Sequence, residues 1–333
     1  MRPVFASLVV LVACGGTPSS GPGAESPLDA PAKSSAPGDT SRAADAASGV
    51  GSETDAELAG VQGKTETFPD ATSLEALKQR LGKGSLEGVA RLDLAGRSLG
   101  PGLGKLLGGA VALSSLSALD VSDNELGPEG VRALVKNSAL AGLHQLELAG
   151  NEIGDAGTTA LSAGGALKGL QVLNLSGNAI GPSGAKALSR SPLLDQVTSF
   201  DLSMNPIGVD GAKALASSTH LGKLRSLFLL GSEIGPEGAA ALARSADLRS
   251  LVVLALSGNG LGDTGAQALA GSDVLISVKT LDLSANGIGD AGAKALATSG
   301  HLGGVRSIEM FGNEFGATGR DALKKRFGAA LKL

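Results

Sequence analysis

The stretch LELAGNEIGDAGTTAL, running from Leu146 to Leu161, decides the fold, and LDLSANGIGDAGAKAL, from Leu281 to Leu296, is its near copy. Working outward from these two, an LxL core recurs with its anchor at Leu92, Leu119, Leu146, Leu173, Phe200, Leu227, Leu254, Leu281 and Ile308, and every interval is 27 residues. Nine units in register without an insertion exclude a mixture of unrelated elements, because a fixed period of this size is the mark of a repeat architecture.

The residue types within a unit predict its local structure. Each LxL is a short strand whose leucines face one side while the residue between them faces the other. An Asn slot follows, filled by Asn124, Asn151, Asn178, Asn205, Asn259, Asn286 and Asn313, with Arg97 and Ser232 in the same slot of repeats one and six. Next comes an Ile, Leu or Phe followed by Gly, from Leu99-Gly100 to Phe315-Gly316, which suggests positive φ or tight packing. Pro101, Pro128, Pro182 and Pro236 share the next slot with Asp155, Asp263 and Asp290. Both types favour helix starts, Pro at the first position and Asp at the cap. A short helix then carries a core leucine, from Leu107 to Leu323, and a second leucine column, Leu113 through Leu302, closes each unit.

The pattern resembles the leucine-rich repeat, specifically its ribonuclease-inhibitor-like subtype, over about 245 residues. The resemblance implies an α/β solenoid, a horseshoe with parallel strands on the concave face and short helices on the convex face. It also implies that the Asn amides bond backbone groups of adjacent turns as a ladder, and that the concave face binds partners. Open solenoids need capped ends. Residues 69–88 are read as the N-terminal cap, with a helix from Ser73 to Leu81, residues 89–323 as the nine repeats, and residues 324–333 as the C-terminal cap, whose Lys324, Lys325 and Arg326 complement a helix dipole.

Ahead of the repeats lie an address and a tether. Arg2 precedes an apolar run from Val4 to Ala13, too short to span a bilayer but suited to a signal peptide. The run ends Leu11-Val12-Ala13-Cys14, which resembles the bacterial lipobox. That resemblance implies a signal peptide over 1–13 and acylation of Cys14, the only Cys in the chain. An ordinary signal peptide that contains a Cys is the other reading. Gly15 after the Cys, rather than Asp, favours the outer membrane by the same resemblance. Residues 14–68 are rich in Gly, Pro, Ser, Ala and Asp without apolar periodicity, and are read as a disordered tether. A coil of this length spans roughly 40 Å, at about 5–6 Å × √n.

Composition closes off other classes. The formal net charge is −4, which argues against a nucleic-acid binder. One Cys and three His exclude a disulfide framework and a Cys-rich zinc site. His220 and His301 hold the same repeat position three units apart, over about 10 Å at the spacing of parallel strands, too far to share a metal. Asp263-Thr264-Gly265 looks like an aspartic-protease triplet but fills the slot of Asp155-Ala156-Gly157 and Asp290-Ala291-Gly292, so helix-start chemistry accounts for it. No catalytic, metal or cofactor site and no small-molecule substrate is expected, since signal, tether, caps and repeats account for every segment.

The candidate partner surface is the residue between the two core positions of each strand. It runs Asp93, Asp120, Glu147, Asn174, Asp201, Phe228, Ala255, Asp282 and Glu309. Stacked carboxylates favour a basic partner, unless Asp is simply the usual residue of the repeat. Repeat six departs at Phe228, Leu230 and Ser232; with Met204 one strand before and Val253 and Ala255 one strand after, these read as an apolar patch within an acidic rim. Drift within one repeat is the alternative. The chain is therefore expected to be a lipid-anchored envelope scaffold that binds a protein and performs no chemistry, with a passive envelope spacer as the runner-up.

Overall fold

The computed structural model describes residues 63–68, 73–84 and 86–333. The segments read as signal peptide and tether, with Cys14, lie outside the described residues up to residue 62, as do 69–72 and 85. The described residues form one parallel sheet whose eleven strands follow chain order: β1 Lys64–Thr67, β2 Val89–Asp93, β3 Ala118–Asp120, β4 Gln145–Glu147, β5 Val172–Asn174, β6 Ser199–Asp201, β7 Ser226–Phe228, β8 Val253–Ala255, β9 Thr280–Asp282, β10 Ser307–Glu309 and β11 Leu331–Lys332. The anchors pair without slippage, Leu92 with Leu119, Leu119 with Leu146, and so on to Leu281 with Ile308. All nine anchors are buried, as the alternation predicts.

After α1, Leu74–Gly82, capped by Ser73, each repeat contributes one helix: α2 Pro101–Gly108, α3 Gly127–Leu134, α4 Gly154–Ala163, α5 Pro182–Ser189, α6 Gly208–Ala216, α7 Gly235–Leu242, α8 Gly262–Ala270, α9 Asp290–Thr298 and α10 Ala317–Phe327. Parallel strands sit ~4.8 Å apart whereas packed helices need ~8–10 Å, so stacking such units puts the strand layer on the inner radius. Glycine in the first helical turn brings the helices unusually close. A Cβ on Gly238 would fall 2.9 Å from the Ala212 Cβ, and one on Gly104 would strike the Gly130 carbonyl.

The aspartates at the helix starts act on the next repeat, not on their own helix. Asp155 Oδ1 accepts from the N–H groups of Gly181 and Gly184, both at 2.8 Å, and Asp263 and Asp290 do the same for Gly289 and Gly292 and for Gly316 and Gly319. The helix dipole is thereby met by a carboxylate from the preceding turn. This contact also selects the conformation of the receiving glycine. Gly181, Gly289 and Gly316 are extended, at φ −93°, −92° and −81°. Where the preceding slot holds Pro or Val instead, as before Gly127 and Gly208, φ is +58° and +64° and the N–H turns to the carbonyl of Asn151 or Ser232. The sequence reading of positive φ or tight packing thus resolves into two conformations, set by the neighbour.

Both ends differ from the sequence reading. The reading runs the tether to residue 68, yet Lys64–Thr67 pair with β2 as the first strand and Phe68 is buried. The Arg80 guanidinium stacks on the Phe68 ring at 4.5 Å and pairs with Glu66, while Arg97 donates to the Phe68 carbonyl. A single aromatic anchor is lost in an average taken over a Gly/Ser/Pro-rich stretch. At the other end the basic residues belong to α10, the ninth repeat's own helix, and the sheet is closed by β11, with Leu331 opposite Ile308.

Candidate functional site

The strand face is braced from below by the asparagine ladder. Asn205 Nδ2 donates to the carbonyls of Leu175, Leu202 and Ser203 at 2.8, 3.0 and 3.1 Å, while its Oδ1 accepts from the N–H groups of Asn178 and Ile180, each at 2.9 Å. Asn151, Asn178, Asn259, Asn286 and Asn313 likewise accept from the repeat before them. Two exceptions follow their chemistry. Arg97, buried at the N-terminal edge, reaches across with its guanidinium to the Ala95 and Phe68 carbonyls. Ser232 is too short: its hydroxyl makes only long bonds to Leu202 and Leu230 carbonyls, at 3.4 and 3.3 Å, and the Ile207 N–H turns to the Asn205 carbonyl at 2.7 Å.

The acidic column is not a free rim of charge. Asp93, Asp120, Asp201 and Asp282 each accept, through Oδ1, the N–H two residues on, and Asn174 does the same for Ser176. The residue type is therefore selected by the turn that leaves the strand. Glu147 instead accepts from the Gln145 amide, and Glu309 pairs with Lys332 at 2.7 Å. Val253, Asp282 and Glu309 are corrected as exposed contact residues, since only 4%, 3% and 9% of their surface is accessible. With neighbours ~4.8 Å away on both sides, the middle of a strand is covered by the side chains flanking it. Val253 lies between Ser226 and Thr280, and Asp282 between Ala255 and Glu309. Burial raises the carboxyl pKa of Asp201, Glu147 and Asp282 above the ordinary carboxylate range, and for Asp201 and Asp282 the Ser203 and Ser284 hydrogen bonds pull partly back.

Repeat six and the strand before it leave three apolar side chains at least partly accessible. Phe228 and Leu230 are half-buried, and Met204 is 58% exposed. The Met204 N–H donates to the Leu230 carbonyl at 2.6 Å, and its sulfur lies where a Cβ on Gly231 would come within 3.0 Å. Met204 has φ +57°, in the slot before the Asn position that Gly fills in six of nine repeats. Holding a long apolar side chain in the left-handed region costs about 1–2 kcal/mol relative to Gly. Phe228 and Ala255 also lack the turn-closing carboxylate, so the Leu230 N–H goes to the Ser203 hydroxyl at 3.2 Å. Sequence reasoning missed Phe311, which is exposed in the same slot as Leu230 three repeats later and could have been found by aligning that column.

Among the described residues no group of His, Cys, Asp or Glu is arranged to hold a metal, and no helix is long and apolar enough to cross a membrane. His220 and His301 each face a carboxylate, Asp195 at 2.7 Å and Asp273 at 3.5 Å. Cys14 lies outside the described residues.

The family model described as "Leucine Rich repeat" matches residues 112–135, 143–162, 170–189, 197–216, 247–270 and 274–297. The strand of repeat six, with Phe228, falls in the gap between two of these segments. No curated protein matches the chain. Among solved structures it is similar to the Rad7 and Elc1 complex of yeast, with a TM-score of 0.51 and 14% identity over 88% of this chain and 75% of that one, a likeness of fold. In-register parallel strands, helices between them and matching repeat segments together make the described chain an open leucine-rich repeat solenoid.

Proposed function

We propose that this protein is a lipid-anchored scaffold of the bacterial cell envelope that holds a protein partner on its strand face and performs no chemistry. The observation that carries the binding reading is the grouping of Met204, Phe228 and Leu230 on neighbouring strands, where most other repeats place Gly, a carboxylate and Ser or Ala. An accessible methionine kept at positive φ, beside two half-exposed apolar side chains, has the composition of an interface anchor. The full helix in every repeat supports the ribonuclease-inhibitor-like subtype. Lipid anchoring rests on Arg2, the apolar run to Ala13 and the Leu11-Val12-Ala13-Cys14 motif, with Gly15 favouring the outer membrane.

Two measurements test the reading. Phe228→Asp with Leu230→Ser restores the usual residues of the repeat, so circular dichroism should be unchanged. Removing two apolar anchors worth roughly 1.5–3 kcal/mol each should lower partner capture from envelope extract by about tenfold or more. Unchanged capture would put the passive spacer ahead. For the anchor, wild type should partition with membranes while Cys14→Ser accumulates as uncleaved precursor; an unmodified soluble wild-type protein would overturn it.

A further inference from the structure

Where the helices of repeats six and seven end, away from the strand face, lies a recess of about 290 Å³ whose lining includes Arg244, Ser245, Arg249, Gly271, Ser272 and Asp273. It interrupts a second polar ladder, made by serines 27 residues apart. The hydroxyls of Ser191, Ser272 and Ser299 donate to carbonyls of the preceding repeat, those of Ser162, Ala243 and Ala270, at 2.7, 2.6 and 2.6 Å. Each also accepts the N–H two residues on. Ser245 holds the same slot and is 4% exposed, yet its hydroxyl has no hydrogen-bond partner among the described residues. The backbone after Ser245 also differs from that after Ser191 or Ser272: there the 3₁₀ turn begins at the next residue, and after Ser245 at Asp247.

Charge and space complete the site. Arg244 has no carboxylate partner among the described residues. Arg249 reaches Asp273 at 3.7 Å, and the same carboxylate faces His301 at 3.5 Å, so its charge is already engaged. A Cβ on Gly271 would meet only carbonyls of its own helix, at 3.8 and 3.9 Å, leaving that wall open. An orphaned buried hydroxyl with two arginines lining the same opening is a donor set for a tetrahedral oxyanion, which accepts several hydrogen bonds at once. The volume is that of about ten liquid waters at ~30 Å³ each, more than a bare anion fills.

We propose that this recess binds the phosphate group of a compact phosphate monoester, with the Ser245 hydroxyl and Arg244 and Arg249 as donors. The site is independent of the strand-face reading, and either stands if the other fails. The test is isothermal titration calorimetry on the full chain with inorganic phosphate, glycerol 3-phosphate and acetate. Saturable binding is expected for the first two, tighter for the ester, and none for acetate. Ser245→Ala and Arg244→Gln should each weaken binding by about tenfold, the scale of one hydrogen bond to a charged group. Ser245→Ala removes a hydroxyl without a partner, so its melting temperature should hold or rise, which separates lost binding from lost folding. Arg190 and Ser191 occupy the same slots two repeats earlier, where the serine is fully bonded, so Arg190→Gln and Ser191→Ala should leave phosphate affinity unchanged. Absence of saturation, equal binding of acetate, or equal losses in the control variants would overturn the proposal.

Discussion

Replacing Asn205 with Leu tests the ladder on which the strand face rests. The variant keeps the side chain's bulk and removes five hydrogen bonds, but the cost is not five equal losses. The Leu175 carbonyl keeps the amide of Asn178, and the Ser203 carbonyl keeps the N–H of Gly177. The Leu202 carbonyl keeps only the long contact to Ser232. The groups left without their acceptor are the buried N–H groups of Asn178 and Ile180. At ~1–3 kcal/mol for each orphaned donor, the loss should be about 2–6 kcal/mol. Ser232→Ala removes only two long bonds, to carbonyls that retain Asn205 Nδ2 and the Met204 N–H, so it should cost less than about 1 kcal/mol. At roughly 2 °C per kcal/mol for a domain of this size, thermal melts should show Asn205→Leu falling by about 4–12 °C and Ser232→Ala by less than about 2 °C. Equal shifts at the two sites would refute the ladder argument.

Asp201→Asn should raise the melting temperature at neutral pH, because burial raises the Asp201 pKa while an amide in the same slot still accepts the turn N–H, as Asn174 does. A carboxyl with a raised folded-state pKa makes the folded state less stable as pH rises above its ordinary value of 3.8, so the gain should vanish on acidification toward that value; a gain independent of pH would contradict it. Asp155→Ala should cost about 0.5–2 kcal/mol, on the scale of a lost helix cap, and hydrogen exchange at Gly181 and Gly184 should quicken while that at Gly208 stays as it was.

The period, the strand anchors, the asparagine slot and the position of every repeat helix are all legible along the chain. Each is written in residues close together along the chain, and a 27-residue repeat states it nine times. The sequence also singles out Met204, Phe228 and Leu230, because a departure from a column is visible wherever the column is. What each side chain faces emerges only when the repeats are stacked. Asp155, Asp263 and Asp290 look like caps for their own helices, and only stacking reveals that they cap the next one and choose its glycine's conformation. Val253, Asp282 and Glu309 read as outward-facing, but strands ~4.8 Å apart let flanking side chains bury them. Lys64–Thr67 read as tether until β2 offered an edge to pair with. Ser245 is one serine in a column of five, and nothing along the chain marks it as the one whose hydroxyl is orphaned. Burial, cross-repeat hydrogen bonds and edge pairing all depend on groups that meet only when the units are stacked, so a period along one chain cannot display them.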